Sequence, residues 1–365
     1  MANQPSSSTR ALLSRVGVEH PIVQAPMAGG ATTPELIAAV CEAGALGSLG
    51  AAVTAPQKIL DAVAAIRQRT SRPFNVNLFV LEEPRPDEPD TRARIQRAAE
   101  LLAPIRRELG LPDVDIPARF CERFADQLAA VREAAPAVAS FHFGIPPLGE
   151  LRAIQARGGL VLGSATNAAE ARAWEEAGAD IICAQGAEAG GHRGTFLGSV
   201  EESLIGTMVL APMVAAAVKV PVLAAGGIMD GRAIAAALGL GAAGVQMGTA
   251  FLPCPESGIH PDYKRALTSP AAARTVVTRA FSGRAARGIV NRYLELMHPH
   301  QDEVPVYPIM NAMTSELRAT SGKAGRMDFV SLWAGQGAPM SRALPAAELV
   351  RRLVAEAAGD PIAAA

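Results

Sequence analysis

The sequence predicts a (β/α)8 TIM barrel with an insertion after its third strand and a smaller elaboration after its eighth. Short apolar runs alternate with longer, Ala-rich amphipathic segments, the pattern of a parallel sheet buried on both faces. Eight such runs follow in series, which favours a closed barrel over an open doubly wound sheet. Glycine-rich turns follow the seventh and eighth runs, where barrels of this class often hold phosphate.

In order, the strands fall at Pro21–Ala25, Leu46–Leu49, Phe74–Phe79, Val138–Phe143, Leu160–Gly163, Asp180–Ala184, Val222–Ala225 and Gly244–Met247. Helices fall between them at Pro34–Ala43, Ala55–Gln68, Phe120–Ala134, Pro147–Ala156, Ala168–Ala177, Thr207–Val218 and Gly231–Leu238. Thr33-Pro34 supplies a capping hydroxyl and a proline suited to the first helical position, and Asn167 caps the helix that follows it. Two stretches break the rhythm. Residues 82–117 concentrate Pro, Asp, Glu and Arg around a helical piece at Thr91–Arg107, and read as an insertion on the face that carries chemistry. Beyond Gly248 the chain does not close promptly. We therefore divide it into a barrel over 1–252, a cap on the substrate side over 253–305, and a segment over 306–365 that closes onto the barrel. The last helix is expected over Pro345–Ala358, with the proline in its first turn.

Composition narrows the partners. Hydrophobic residues make up 49% of 365, enough for one large core. Aromatics at 4% and a net charge of −1 argue against nucleic acid or an anionic membrane surface. The four cysteines, Cys41, Cys121, Cys183 and Cys254, show neither paired nor Cys/His spacing, so no disulfide frame and no metal site is expected. Met1–Arg10 is polar and Ser-rich, with no apolar core of a signal peptide, and no apolar run reaches the ~18 residues of a membrane span. A cytoplasmic address is the expectation, and a homodimer is compatible with it.

The chemistry is expected in the loops. In Ala184–Gly194, Gly186, Gly190 and Gly191 crowd a turn that ends by presenting the imidazole of His192. Glycine lets backbone N–H groups approach a flat ligand, and an imidazole beyond it suits proton transfer near neutral pH. Ala224–Ile228 and Gln246–Ala250, with Gly226, Gly227, Gly248 and the hydroxyl of Thr249, read either as a phosphate site that also uses a helix N-terminus or as two tight turns any barrel needs. Alternation puts Asn75 and Asn77 on one face, as structural amides or as contacts to a ring's polar edge, and Gln185 has the same two readings. His142, between Phe141 and Phe143, reads as a packed core residue or a pocket residue. His20, His260, His298 and His300 have no supporting context.

Pro26-Met27-Ala28-Gly29-Gly30, Val76-Asn77-Leu78-Phe79, Ala189–Gly194, Ala225–Ile228, Gln246–Thr249, Tyr307–Asn311 and Ser331–Gln336 together resemble the bacterial class I branch of the nitronate monooxygenases, formerly 2-nitropropane dioxygenases. The likeness covers nearly the whole chain. It implies an FMN-dependent oxidoreductase that converts alkyl nitronates (propionate 3-nitronate among them) or nitroalkanes, with O2, to carbonyl compounds and nitrite. By resemblance, Ala25, Pro26, Met27, Asn77, Gln185, Gly190, Gly191, Gly226, Gly227, Gln246, Met247, Gly248 and Thr249 hold FMN. His192 is the catalytic base, and His142, Tyr263 and Tyr307 line the substrate pocket. A single phosphate site, with no Gly-x-Gly-x-x-Gly after an opening strand, points to FMN rather than FAD. Two rival readings share the barrel: an FMN- and NADH-dependent enoyl-acyl-carrier-protein reductase, and a non-catalytic flavin-binding protein.

Overall fold

The computed structural model describes residues 5–359. Its barrel strands are β1 (Ile22–Gln24), β2 (Gly47–Gly50), β3 (Phe74–Phe79), β4 (Val138–His142), β5 (Leu160–Ala165) and β6 (Ile181–Gln185). A two-residue strand, β7 (Gly191–His192), leaves the barrel before β8 (Val222–Ala225) and β9 (Gly244–Met247) complete it. The eight barrel strands are parallel, in the order β1-β9-β8-β6-β5-β4-β3-β2. β1 and β2 share no ladder, and the seam closes otherwise. Val23 and Leu46 form a parallel bridge, and Leu46 N–H donates to the Ile22 carbonyl at 3.0 Å. The Gln24 side chain extends the pairing: its Oε1 accepts from Ser48 N–H at 2.9 Å and its Nε2 donates to the Ser48 carbonyl at 3.3 Å.

Helix α1 (Ser7–Val16) was not anticipated, because its polar Ser-rich start hides an apolar stripe. Ser6 caps it and Gly17 ends it in the left-handed region. Its Leu12 and Val16 pack with Val23, Leu46, Val138, Leu162, Ile181, Cys183 and Leu223, and so close the N-terminal end of the barrel. The helices α2 (Pro34–Glu42) and α3 (Pro56–Arg67) follow β1 and β2. The Thr33 hydroxyl accepts from Leu36 N–H at 3.1 Å and Pro34 takes the first position of α2, as expected.

The insertion after β3 carries α4 (Pro89–Glu108), longer than the sequence suggested. Its Ile95, Ala98, Leu102 and Ile105 are buried against Phe281, Tyr293, Met310 and Phe329 from the region after the barrel. The ring then continues through α5 (Phe124–Ala134), α6 (Leu148–Gln155), α7 (Ala168–Glu176), α8 (Thr207–Ala217) and α9 (Gly231–Gly239). α5 starts four residues later than expected.

After β9 come α10 (Pro261–Leu267), the hairpin β10 (Thr275–Thr278) and β11 (Ala286–Ile289), then α11 (Arg292–Met297), α12 (Ile309–Met313) and α13 (Ser315–Lys323). The chain finally returns as α14 (Ala346–Ala357), with Pro345 as its N-cap rather than inside its first turn. Leu349, Val350 and Leu353 of α14 pack with Leu36, Val40, Ile234 and Ala237, between α2 and α9. α14 is thus the eighth helix of the ring, separated from its strand by a long excursion over the barrel mouth. That excursion sends β11 to pair antiparallel with β7, matching Ala286 with His192. Among the described residues no helix is long and apolar enough to cross a membrane.

Candidate active site

β6 ends at Gln185, and the glycine-rich turn behind it is held by buried cations. Arg193, 1% exposed, donates to the carbonyls of Gly186 at 2.6 Å, Gln185 at 3.0 Å and Ser203 at 2.8 Å. Arg287 Nε donates to the Ala187 carbonyl at 3.1 Å. Glu188 turns back to accept from Thr207 N–H at 2.9 Å and Thr207 Oγ1 at 2.8 Å. A side chain at Gly190 would place its Cβ 2.5 Å from Ala334 C and Gly335 N, so this glycine admits the C-terminal segment.

His192 is fixed through its backbone. Its carbonyl accepts from Gln185 Nε2 at 2.9 Å and from His142 Nε2 at 3.1 Å, where the imidazole must be the donor because a carbonyl only accepts. Gln185 Oε1 also accepts from Gly194 N–H at 2.8 Å, so this amide clamps both sides of the loop. The His192 ring stands among Phe79, Phe143, Tyr307 and Trp333, with centroid separations of 5.7, 5.7, 5.5 and 5.5 Å. Its Nε2 lies 2.9 Å from Ser282 Oγ. Burial, followed by the neighbouring His142 imidazole and the Arg284 charge, lowers the His192 pKa from 6.5 to about 3. Burial also lowers His142 to about 4. Both rings are neutral at pH 7. Burial pushes the Tyr307 phenol well above its ordinary range, so it stays protonated.

Arg284 completes the mouth. Its Cζ lies 3.8 Å from the Phe143 ring centroid and its Nη2 donates to the Thr195 carbonyl at 2.5 Å. Arg193, Arg284, Arg287 and Arg318 all find carbonyl, amide or hydroxyl oxygens as partners among the described residues, with no carboxylate within ion-pair distance. Burial lowers Arg193 and Arg284 to about 10, which leaves them charged. The site is therefore a positive field around neutral imidazoles.

A flavin fits the same end of the barrel. Gly226 and Gly227, just past β8, have φ of +116° and +71°, where side chains are strained. Among the described residues the N–H groups of Gly226, Gly227 and Gly248 have no backbone acceptor, which suits a phosphate. Gln246 Oε1, on β9, is buried with no partner, an acceptor waiting for a donor. Thr249 Oγ1 accepts from Gly335 N–H at 3.0 Å, leaving its proton free to donate. Asn77 lies at 5% exposure and donates to Ser140 Oγ at 2.9 Å. Ala25 N–H continues the β1–β9 pairing to the Met247 carbonyl at 2.9 Å, with Pro26 and Met27 directly after it. The Met247 side chain faces the outer core instead, so only its backbone reaches the mouth.

Two expectations change. The N-terminus of α9 does not serve an anion, since Asp230 Oδ1 takes Ala233 N–H at 2.8 Å and Glu356 Oε2 takes Gly231 N–H at 2.8 Å. Tyr263 does not join the ring cluster. It packs with Leu252, Leu267, Ile289 and Leu332, and its hydroxyl donates to the Trp333 carbonyl at 2.5 Å. Ser282 and Arg284 entered no sequence-based reading of the site, and Phe79, Phe143 and Trp333 appeared there only as neighbours within motifs, with no role assigned. Ser282 and Arg284 meet the loop only through the β7–β11 pairing, which leaves no local pattern.

Known proteins match this architecture throughout. Residues 10–356 match the family model described as nitronate monooxygenase. A nitronate monooxygenase of Pseudomonas aeruginosa is 46% identical over 348 residues, covering 94% of this chain and 98% of that protein. A nitronate monooxygenase of Paraburkholderia phytofirmans is 42% identical, covering 95% and 94%. Among solved structures, nitroalkane oxidase from Streptomyces ansochromogenes superposes with a TM-score of 0.88 at 42% identity, covering 97% of this chain and 100% of that one. FabK from Thermotoga maritima is more distant, with a TM-score of 0.71 at 29% identity and 95% of each chain covered. The barrel, its flavin-compatible mouth and these likenesses together make the chain a member of the nitronate monooxygenase family, a group of flavin-dependent oxidoreductases.

Proposed function

We propose that the chain binds FMN and oxidises alkyl nitronates or nitroalkanes with O2 to carbonyl compounds and nitrite, with His192 as the base. One observation carries this reading: a neutral imidazole at a barrel mouth within the field of the Arg284 and Arg318 guanidinium groups, neither of which pairs with a carboxylate among the described residues. A nitroalkane is acidic at carbon, and its conjugate base carries charge on the nitro oxygens. An imidazole held as low as His192 keeps a proton only when an anion forms beside it. Proton transfer from the nitroalkane creates that anion, so the imidazolium and the nitronate stabilise each other. A preformed nitronate is drawn in by the same positive field and needs no proton taken by His192. The aromatic rings around His192 keep water from competing for the charge. FMN, when bound, supplies the electron acceptor that connects substrate to O2. Gly226, Gly227, Gly248 and Thr249 would hold its phosphate, and Gln246, Asn77 and the Ala25–Met27 backbone its ring.

The test combines two measurements. Acid precipitation of the purified protein releases a yellow supernatant that chromatographs as FMN, and propionate 3-nitronate in air yields nitrite. FAD in the supernatant overturns the cofactor assignment. Absent nitrite, with rapid anaerobic bleaching by NADH, favours the reductase instead; absent nitrite without bleaching leaves a flavin-binding protein.

A further inference from the structure

Ser282 sits in the turn between β10 and β11, 90 residues from His192 in sequence and 1% exposed. Its Oγ meets three groups: His192 Nε2 at 2.9 Å, the Arg284 carbonyl at 3.0 Å and Arg284 N–H at 3.4 Å. A hydroxyl has one proton to give. If that proton went to His192, the Arg284 carbonyl would lose this donor. With the proton on the carbonyl, the Oγ lone pairs accept from His192 Nε2–H and from Arg284 N–H, and every group in the turn is used. The other ring nitrogen, Nδ1, has no partner among the described residues. Of the four rings around it, Tyr307 and Trp333 carry polar groups, a hydroxyl and an indole N–H, and neither is hydrogen-bonded to Nδ1.

We infer that Ser282 is a positioning residue that fixes His192 as the Nε2–H tautomer, so that Nδ1 carries the lone pair that takes the substrate proton. This rests on His192 being the base. The turn works at two points at once. Its serine selects the tautomer, while the backbone of Arg284 locks the serine and the Arg284 guanidinium lies over Phe143. In the transfer, the carbon–hydrogen bond of the nitroalkane breaks and the proton bonds to Nδ1. The electron pair stays on the nitronate, and the hydrogen bond from Nε2 to Ser282 strengthens as the ring becomes positive.

The test is nitrogen NMR of the FMN-loaded enzyme labelled with 15N-histidine, using His192→Asn to identify the His192 signals. The expected spectrum shows a protonated Nε2 and an unprotonated Nδ1. In Ser282→Ala the two tautomers mix, and kcat/KM for a neutral nitroalkane falls about tenfold, the scale of one lost buried hydrogen bond. Turnover of preformed nitronate and flavin content stay near the parent values. A proton on Nδ1 in the parent, or an unchanged tautomer in Ser282→Ala, overturns the inference. An equal loss on nitronate and nitroalkane overturns its catalytic part. If Ser282→Ala does not fold, the parent spectrum still decides. Full nitroalkane turnover by His192→Asn would instead remove the base itself, a failure the parent tautomer does not report.

Discussion

At its N-terminal end the barrel is filled by Val23, Leu46, Val138, Leu162, Ile181 and Leu223 and shut by α1, whereas its C-terminal end is lined by two imidazoles, four aromatic rings and Arg284. The same eight strands pass through both. At the lower end these packed side chains are apolar, and removing one leaves a void. At the upper end cations lack acid partners, glycines take positive φ and Gln246 keeps an unused acceptor. Between them, the amides of Gln24, Asn75 and Asn77 bond to Ser48 and Ser140 in a buried polar layer. One end stores stability; the other holds groups that a ligand completes.

If that division holds, substitutions at the two ends should move different observables. The largest effect is expected at the upper end. His192→Asn keeps a hydrogen-bonding side chain but cannot take a proton. Turnover of a neutral nitroalkane should fall on the order of 10²–10⁴-fold, the usual scale for loss of a general base. Flavin content and thermal midpoint should stay close to the parent, and preformed nitronate should recover much of the rate. Equal loss with both substrate forms would assign His192 to anion binding rather than proton transfer. Parent-like turnover of the nitroalkane would take His192 out of the mechanism.

Legibility in the sequence follows the same division. Most strands were readable because a strand buried on both faces is a near-continuous apolar run, and Phe74–Phe79, despite Asn75 and Asn77, matches residue for residue. The loops around His192, Gly227 and Thr249 were readable because their chemistry lies within a few consecutive residues. α1 was missed because its apolar stripe is only Leu12 and Val16 within a Ser/Thr/Arg-rich stretch. Ser282 and Arg284 were invisible for a different reason. Their role comes from an antiparallel pairing between segments far apart in sequence, which sets Ser282 beside His192 across 90 residues, and nothing near Phe281 announces it. Tyr263 was misplaced because a tyrosine in a cap region has the same sequence signature whether its hydroxyl faces a ligand or, as here, the Trp333 carbonyl.

The next effect belongs to the lower end. Leu162 is 1% exposed within the apolar plug. Leu162→Ala should cost about 2–5 kcal/mol of stability, combining lost transfer energy with the residual cavity. Urea titration measures it. Activity with nitronate, at a temperature where the variant remains folded, should match the parent. A large drop in kcat without a change in flavin content would show that the plug positions the mouth, and would dissolve the distinction between the ends.

The smallest effect, and the finest probe of the comparison, is the dependence of stability on pH. His192 is held at about 3 and His142 at about 4, against 6.5 for an ordinary imidazole. As pH falls through 6.5 the unfolded chain takes up protons at both positions while the folded chain does not. The unfolded state then binds more protons, so stability rises with pH across this window and is lost toward acid. Above about pH 7 neither group contributes a slope. Cys183, which packs within the plug, is pushed up to about 12 by burial and stays neutral throughout. Thermal midpoints measured from pH 7.5 to 4.5 should therefore decline for the parent and decline less for His192→Asn. Leu162→Ala should run below the parent and parallel to it, because it removes packing without touching a proton. A changed slope in Leu162→Ala would mean that the plug tunes the imidazoles through the barrel. A parent-like slope in His192→Asn would mean that this ring takes up protons in the folded state as readily as in the unfolded one.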